Sequence, residues 1–208
     1  MSKIIRIEPT DDLFSITWTM HLRCNYDCMY CGDIRHEYNK GKVLSLEELQ
    51  TYWMQIYQKT KHLNKSYKLV LSGGEPTVNK NLLPFVKWLC ENFNDKIFQL
   101  GLCTNGSASV SHYLKLFEYF TWISFSTHTE YLDEERFFDS AIACNVYAQK
   151  TNTKSFMIKI MPEPWANNSI QKFIQLCQQN NIQYDLADHI DTARQTRSYP
   201  IFKIKKYD

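Results

Sequence analysis

Short apolar runs alternate along the chain with longer segments whose apolar positions repeat at helical spacing. Six runs are rich in β-branched and aromatic residues, which is typical of strands: 13–20, 67–71, 97–103, 122–126, 155–161 and 183–186. Segments of helical length follow the first five runs, at 45–60, 82–92, 109–119, 133–149 and 167–179. Strands that alternate with helices favour right-handed βαβ units around a parallel sheet. The pattern therefore predicts an α/β fold.

The starts of two helices carry a local signal. Ser45 is followed three residues later by Glu48, which is the spacing of a capping box. Asn167 or Asn168 is predicted to cap the last helix. Pro84 falls in the first turn of the second helix, where proline is tolerated.

Length and composition predict a single domain. The 208 residues suit one core, about 13–188, followed by a C-terminal tail, 189–208. The net charge of +2 is far from the strongly basic balance of nucleic-acid-binding proteins. No apolar run reaches the roughly 18 residues that span a bilayer, and the first residues lack the apolar segment of a signal peptide. Seven cysteines without such a signal indicate free thiols in a reducing cytoplasm.

Three cysteines follow the first strand at C-x3-C-x2-C spacing: Cys24, Cys28 and Cys31. Thiolates suit soft metals and iron–sulfur clusters. Three local ligands would leave one iron of a 4Fe–4S cluster open to a small molecule. A structural zinc site is the alternative, with His21 or His36 as the fourth ligand.

The cysteine spacing also fits an apolar stripe, because positions i, i+4 and i+7 share one helix face. The residues between the cysteines oppose that interpretation. Asn25, Tyr26 and Asp27 are weak helix formers, and Gly32 would end a helix at once. The sequence therefore favours a metal-binding loop.

Further motifs follow the next strands. Gly73-Gly74-Glu75-Pro76 follows the second strand, Thr104-Asn105-Gly106 the third, and Ser124 to His128 ends the fourth. Ligands of parallel α/β sheets bind at the carboxyl ends of the strands. We therefore expect these motifs and the cysteines to form one site.

With aromatic Tyr30 just before Cys31, these motifs resemble the radical S-adenosylmethionine (radical SAM) superfamily, in the family's order and over most of the chain. The resemblance implies a (β/α)6 partial TIM-type barrel. It also implies a 4Fe–4S cluster whose open iron binds S-adenosylmethionine. Reductive cleavage would then give a 5′-deoxyadenosyl radical that abstracts hydrogen from a substrate.

The expected cofactor contacts come from the ends of the strands and from the cysteine loop, residues 23–32, which contains Cys24, Cys28 and Cys31. By resemblance, the Gly73-Gly74 turn meets the methionine amino group with support from Glu75, the end of strand four meets the ribose, and Tyr30 neighbours the adenine. The whole set is Tyr30, Ser72, Gly73, Gly74, Glu75, Asn105, Ser124, Ser126, His128 and Lys159.

Each of these residues also has a structural interpretation. The Gly-Gly and Asn-Gly pairs are common in tight turns, and a lone histidine such as His128 is often structural. Lys159 lies in an apolar strand, where an unpaired charge is costly. It is predicted to face a carboxylate of the cofactor or substrate, with Glu163 as the alternative structural partner.

Two remaining sets of residues are predicted to be mainly structural. Four scattered cysteines are interpreted as small buried apolar side chains, with Cys103 set apart because strand three ends at the expected site: Cys90, Cys103, Cys144 and Cys177. The polar residues around strand six either recognise a substrate or form a solvated loop: Tyr184, Asp185, Asp188, His189 and Asp191.

The preferred functional hypothesis is a compact radical SAM enzyme with one cluster. Its predicted substrate is a small metabolite, similar to a nucleotide, sugar or purine, and its reductant a flavodoxin or ferredoxin. The alternatives are a peptide-modifying enzyme or glycyl-radical activase, a member that binds the cofactor but acts as a signalling or defence factor, and a non-enzymatic zinc or iron–sulfur module. A zinc module would not respond to S-adenosylmethionine.

Overall fold

The computed structural model describes residues 13–28, 30–31, 41–163 and 166–187. Six strands form one parallel sheet in the order of the sequence. They are β1 (Leu13–Thr19), β2 (Ser66–Ser72), β3 (Ile97–Thr104), β4 (Trp122–Ser126), β5 (Ser155–Ile160) and β6 (Gln183–Leu186). The predicted α/β fold with a parallel sheet is therefore confirmed.

One α-helix follows each of the first five strands. These helices are α1 (Leu46–Thr60), α2 (Leu82–Phe93), α3 (Val110–Phe117), α4 (Glu134–Thr151) and α5 (Asn167–Gln179). Two single 3-10 turns, Lys61–Leu63 and Pro76–Val78, escaped the sequence analysis. Their short length gives no helical periodicity to detect.

The helix starts agree with the sequence at one position and differ at another. The capping box of α1 is present, because the Ser45 hydroxyl accepts from the Glu48 N–H and the Glu48 carboxylate accepts from the Ser45 N–H. The predicted asparagine cap of α5 is wrong. Ala166 occupies the N-cap and has no side chain that accepts a hydrogen bond.

The two faces of the sheet have different chemistry. Alternate strand residues are buried in one apolar core with the helices, as when Trp18 of β1 packs edge-on against Phe85 of α2 at 5.5 Å between ring centroids. The other face carries residues that remain partly or fully exposed, among them Thr17, Lys68 and Gln99. Strand side chains alternate between faces, so each strand contributes to both environments.

Lys159 differs from its apolar neighbours in β5. It lies on the second, more exposed face of β5 in register with Ser126 and Asp185, and its side chain is exposed. It forms no salt bridge with any residue that the structure describes. The alternative pairing with Glu163 is therefore not found among the described residues, and strand alternation carries Lys159 away from the apolar core. Its contact with a carboxylate of the cofactor or substrate stays a prediction.

No helix among the described ranges is both long and apolar enough to cross a membrane.

The packing predicts unequal costs for the same substitution at two phenylalanines. Phe85 is 0% exposed beneath Trp18, whereas Phe98 on β3 is 66% exposed. We expect Phe85→Ala to lower the free energy of unfolding by about 3–5 kcal/mol, because a cavity replaces the ring. Phe98→Ala should change it by less than about 0.5 kcal/mol. Urea unfolding followed by circular dichroism measures both, and equal losses would contradict this assignment of the core.

Candidate active site

A cavity of about 190 Å³ opens at the carboxyl ends of the strands. The cysteine loop forms one side of it, and the ends of β2, β3 and β4 form the others. Its lining residues are Cys24, Tyr26, Cys28, Cys31, Ser72, Gly73, Gly74, Cys103, Thr104, Asn105, Ser126 and His128. The structure therefore brings together at one cavity all three loop cysteines and most of the residues that the sequence analysis assigned to a cofactor.

The start of the cysteine loop is fixed by backbone hydrogen bonds to the turn after β2. The N–H of Gly74 donates to the carbonyl of His21 at 2.8 Å, and the N–H of Glu75 donates to the carbonyl of Arg23 at 2.9 Å. The first cysteine follows Arg23 directly. The position of Cys24 is therefore set by the turn after β2.

Gly73 and Gly74 are required by the close approach of these two segments. A Cβ at Gly73 would lie 2.4 Å from the carbonyl oxygen of His21, and Gly73 has φ +137°, which L side chains rarely adopt. A Cβ at Gly74 would lie 2.2 Å from the carbonyl oxygen of Arg23. The sequence analysis expected the glycines to make room for a ligand. In the structure they make room for the cysteine loop, and they also line the cavity.

Glu75 joins the turns after β2 and β3. Its side chain is 0% exposed. One carboxylate oxygen accepts from the Thr77 N–H at 2.9 Å, the Thr77 hydroxyl at 2.6 Å and the Thr104 hydroxyl at 2.7 Å. The other accepts from the Asn105 N–H at 2.6 Å. Burial raises the pKa of Glu75, and these four donors act in the opposite direction.

The Glu75 carboxylate is absent from the cavity lining, so its contacts in the structure are with the protein itself. Its support for a cofactor ammonium group stays a prediction.

Asn105 connects the turn after β3 to the cysteine loop. Its side-chain amide donates to the Asn25 side-chain oxygen at 2.9 Å and lies 3.8 Å from the Cys24 sulfur. Its side-chain oxygen accepts from the Ser107 N–H at 3.1 Å, and Gly106 has φ +75°. The Asn-Gly pair therefore forms a turn and also orients an amide toward the first cysteine.

The sequence analysis named Tyr30, His128 and Glu163 but missed the contacts that join them near the end of β4. The Tyr30 hydroxyl is hydrogen-bonded to His128 Nδ1, and the two rings stack with centroids 5.8 Å apart and planes at 19°. Glu163 is 0% exposed, accepts from the Thr129 N–H at 3.0 Å and lies against the Tyr30 phenol. The pKa of Tyr30 is raised strongly, first by burial and then by the charges of Glu163 and Cys28.

The aromatic contacts continue to Tyr26. Its ring stacks on that of Tyr131 at 5.7 Å, and the Tyr131 hydroxyl donates to the carbonyl of Asp27 at 3.1 Å. Burial raises the pKa of Tyr26 to about 12. These contacts link the cysteine loop to the segment after β4 over about a hundred residues of sequence, so no local pattern signals them.

The remaining predicted site residues have different positions. Ser72 and Ser126 line the cavity. Ser124 is 5% exposed and is not part of the lining, and neither is the exposed Lys159. Cys103 does line the cavity, and burial raises the pKa of its thiol to about 11, which keeps it protonated near neutral pH.

The other isolated cysteines follow the prediction in part. Cys144 and Cys177 are buried in the core, whereas Cys90 is half-buried. Several residues that the sequence analysis named lie outside the described ranges: Gly32, His36, Asp188, His189 and Asp191. Within those ranges, no three His, Cys, Asp or Glu side chains are arranged around a position for a single metal ion.

Comparison with known proteins decides the family. A family model described as the Radical SAM superfamily matches residues 18–154, the segment that contains the cysteine loop and the turns after β2, β3 and β4. The chain belongs to the radical SAM superfamily. Radical SAM proteins are enzymes, and the resemblance drawn from the cysteine loop is confirmed.

Curated radical SAM relatives match part of the chain. The radical SAM cyclopropyl synthase TigE of Paramaledivibacter caminithermalis is 26% identical over 139 residues, which are 60% of this chain and 29% of that protein. The GTP 3′,8-cyclase of Pasteurella multocida is 34% identical over 85 residues, which are 40% of this chain and 23% of that protein. The chain thus spans under a third of the length of these two radical SAM relatives.

Solved structures of SuiB share the fold. Streptococcus suis SuiB bound to its precursor peptide SuiA has a TM-score of 0.58 at 17% identity, covering 84% of this chain and 38% of SuiB. SuiB bound to S-adenosylmethionine has a TM-score of 0.56 at 16% identity, covering 88% and 42%. The predicted radical SAM partial barrel is confirmed by this likeness.

The buried carboxylate predicts a specific loss. In Glu75→Gln, one oxygen becomes an NH2 group that faces N–H or O–H donors, so at least one of them loses its acceptor. We expect the free energy of unfolding to fall by about 1–3 kcal/mol. The matched control is Glu91→Gln on the exposed surface of α2, which should change it by less than about 0.5 kcal/mol. Urea unfolding measures both free energies. A Glu75→Gln variant with an unchanged free energy of unfolding would show that the stability of the protein does not need the ionised carboxylate.

Proposed function

We propose that this protein holds a 4Fe–4S cluster on Cys24, Cys28 and Cys31 and binds S-adenosylmethionine beside it. The observation that supports this proposal is that the three cysteines and the Gly73-Gly74 turn line one cavity. Thiolate sulfurs are the donors that iron–sulfur clusters require. The family to which the chain belongs implies both cofactors.

When bound, the reduced cluster supplies the electron that cleaves S-adenosylmethionine to methionine and a 5′-deoxyadenosyl radical, which removes hydrogen from a substrate. The protein contributes position and exclusion of water. The backbone clamp at His21 and Arg23 fixes the start of the cysteine loop. The rings of Tyr26 and His128 line the cavity, and the Tyr30 ring stacks on that of His128.

The cavity residues are our candidates for contacts with S-adenosylmethionine. Ser72, Gly73 and Gly74 offer backbone groups at the end of β2, and Ser126 and His128 offer side-chain donors and acceptors at the end of β4. Asn105 offers an amide between these two edges. Tyr30, Glu75, Ser124 and Lys159 are not part of the cavity lining, and their contact with S-adenosylmethionine stays a prediction from the resemblance.

We further propose that the substrate is a small molecule of the nucleotide, sugar or purine type. The support is the similarity to GTP 3′,8-cyclases, whose name gives a nucleotide substrate. A peptide is the second candidate, because SuiB, which shares the fold, was solved with its precursor peptide. A flavodoxin or ferredoxin in the cytoplasm would supply electrons, since cluster thiolates persist in a reducing compartment.

Spectroscopy of the reconstituted protein tests the cluster. After anaerobic reconstitution, we expect about four irons per chain. The reduced protein should give an electron paramagnetic resonance signal that changes when S-adenosylmethionine is added. Cys28→Ala should lose this signal, because one iron loses its protein ligand. Cys144→Ala, in the core of α4, is the matched control and should keep it. Tightly bound zinc, or a cluster that ignores S-adenosylmethionine, would overturn the proposed function.

Release of 5′-deoxyadenosine tests the substrate class. With dithionite and S-adenosylmethionine, we expect the protein to release 5′-deoxyadenosine slowly, and at least about tenfold faster with a small-molecule substrate that supplies the hydrogen. GTP and a panel of nucleotides and sugars are the probes, and random peptide pools are the comparison. Stimulation by peptides alone would favour the second candidate. Cys28→Ala should release none under either condition.

A further inference from the structure

Two buried side chains directly before the cysteine loop lack hydrogen-bond partners. Thr19 and His21 are each 5% exposed. Within the described part of the chain, the Thr19 hydroxyl and both ring nitrogens of His21 make no hydrogen bond of normal geometry, although the Arg23 carbonyl lies near the imidazole. Buried polar groups in proteins nearly always have a partner. Thr19 and His21 are thus free to bond a polar group placed beside them, and they differ from the other unpartnered buried groups by their position just before the three cysteines.

Thr19 is the last residue of β1, and His21 follows it by two residues. Trp18 is packed in the apolar core with the helices, so strand alternation directs Thr19 to the face that borders the cavity, although neither Thr19 nor His21 is part of the cavity lining. Thr19 is the register partner of Ser72, which lines the cavity. The backbone of His21 lies against Gly73, which also lines it.

The imidazole of His21 is suited to donate rather than to carry charge. Burial lowers its pKa, the Arg23 charge lowers it further, and the Arg23 backbone carbonyl partly offsets both effects. A neutral imidazole presents one N–H donor, and a threonine presents one O–H donor. An iron–sulfur cluster, in contrast, presents negatively charged sulfide and thiolate acceptors. Hydrogen bonds to these sulfurs are among the factors that set its reduction potential.

We propose that His21 donates an N–H hydrogen bond to a sulfur of the cluster centre held by Cys24, Cys28 and Cys31, with the Thr19 hydroxyl as a second donor on the same side. This inference rests on the proposed function. Donation to sulfur stabilises the added electron, so His21 is a positioning residue that makes the cluster easier to reduce. It leaves the fourth iron position open for S-adenosylmethionine.

The midpoint potential of the cluster tests this role. In His21→Leu, with an isosteric apolar side chain, we expect reduction to become about tenfold less favourable, a shift of 59 mV to more negative potential for a one-electron couple. His21→Asn, which keeps an N–H donor, should shift less. The matched control is His112→Leu in α3, because His112 also has a buried ring nitrogen without a partner and a pKa lowered by burial. It should leave the potential unchanged.

A second measurement keeps the inference testable if His21→Leu fails to bind the cluster. Resonance Raman bands of Fe–S stretching in the wild-type protein should move in D2O. Thr19→Val should reduce that movement, whereas His21→Asn, which keeps an N–H donor, should retain most of it. A fully loaded His21→Leu with unchanged potential would overturn this inference and leave the proposed function intact. Direct coordination of iron by a His21 nitrogen would also overturn it. A wild-type protein without any cluster would overturn both.

Discussion

The site depends on two backbone hydrogen bonds between the cysteine loop and the turn after β2. They require the backbones at His21 and Arg23 to approach the glycine turn so closely that no Cβ fits there. The glycine pair is thus a packing requirement first, and its exposure to the cavity follows from it. Cys24 begins where this contact ends, so a shift of the turn would move the first cysteine as well.

The same contact extends through a buried carboxylate. Glu75 receives four hydrogen bonds from Thr77, Thr104 and Asn105, which offset much of the cost of removing a carboxylate from water. Asn105 then reaches back toward Cys24. Hydrogen bonds therefore connect the turns after β2 and β3 to each other, and each of these turns also contacts the segment of the cysteines after β1. This network of hydrogen bonds can hold the Cys24 thiol in place before a cofactor binds, which is the preorganisation that a metal site needs.

Sequence analysis predicted the features that depend on local periodicity and failed where distant segments meet. The strands, the five helices and the Ser45 cap follow from patterns within a few residues of one another. The stacking of Tyr30 on His128 joins residues 98 positions apart, and the Glu163 carboxylate becomes a neighbour of Tyr30 only through the order of the strands. The sequence also left open whether Lys159 faces the cofactor or pairs with Glu163, because the few apolar neighbours of its short strand do not show which face it occupies.

The two faces of the sheet have different roles, because one packs on the helices and the other borders the cavity. The site can therefore be polar without weakening the fold. The face that packs on the helices carries the large buried side chains, such as Trp18 and Phe125. The cavity face carries residues such as Ser72, Ser126 and Cys103, which contribute little apolar burial. Substitutions on the cavity face should therefore alter chemistry at a small cost in stability, except where a side chain such as Glu75 also joins the turns. One scaffold can in this way support different reactions, which is consistent with the different activities named for the relatives of this chain.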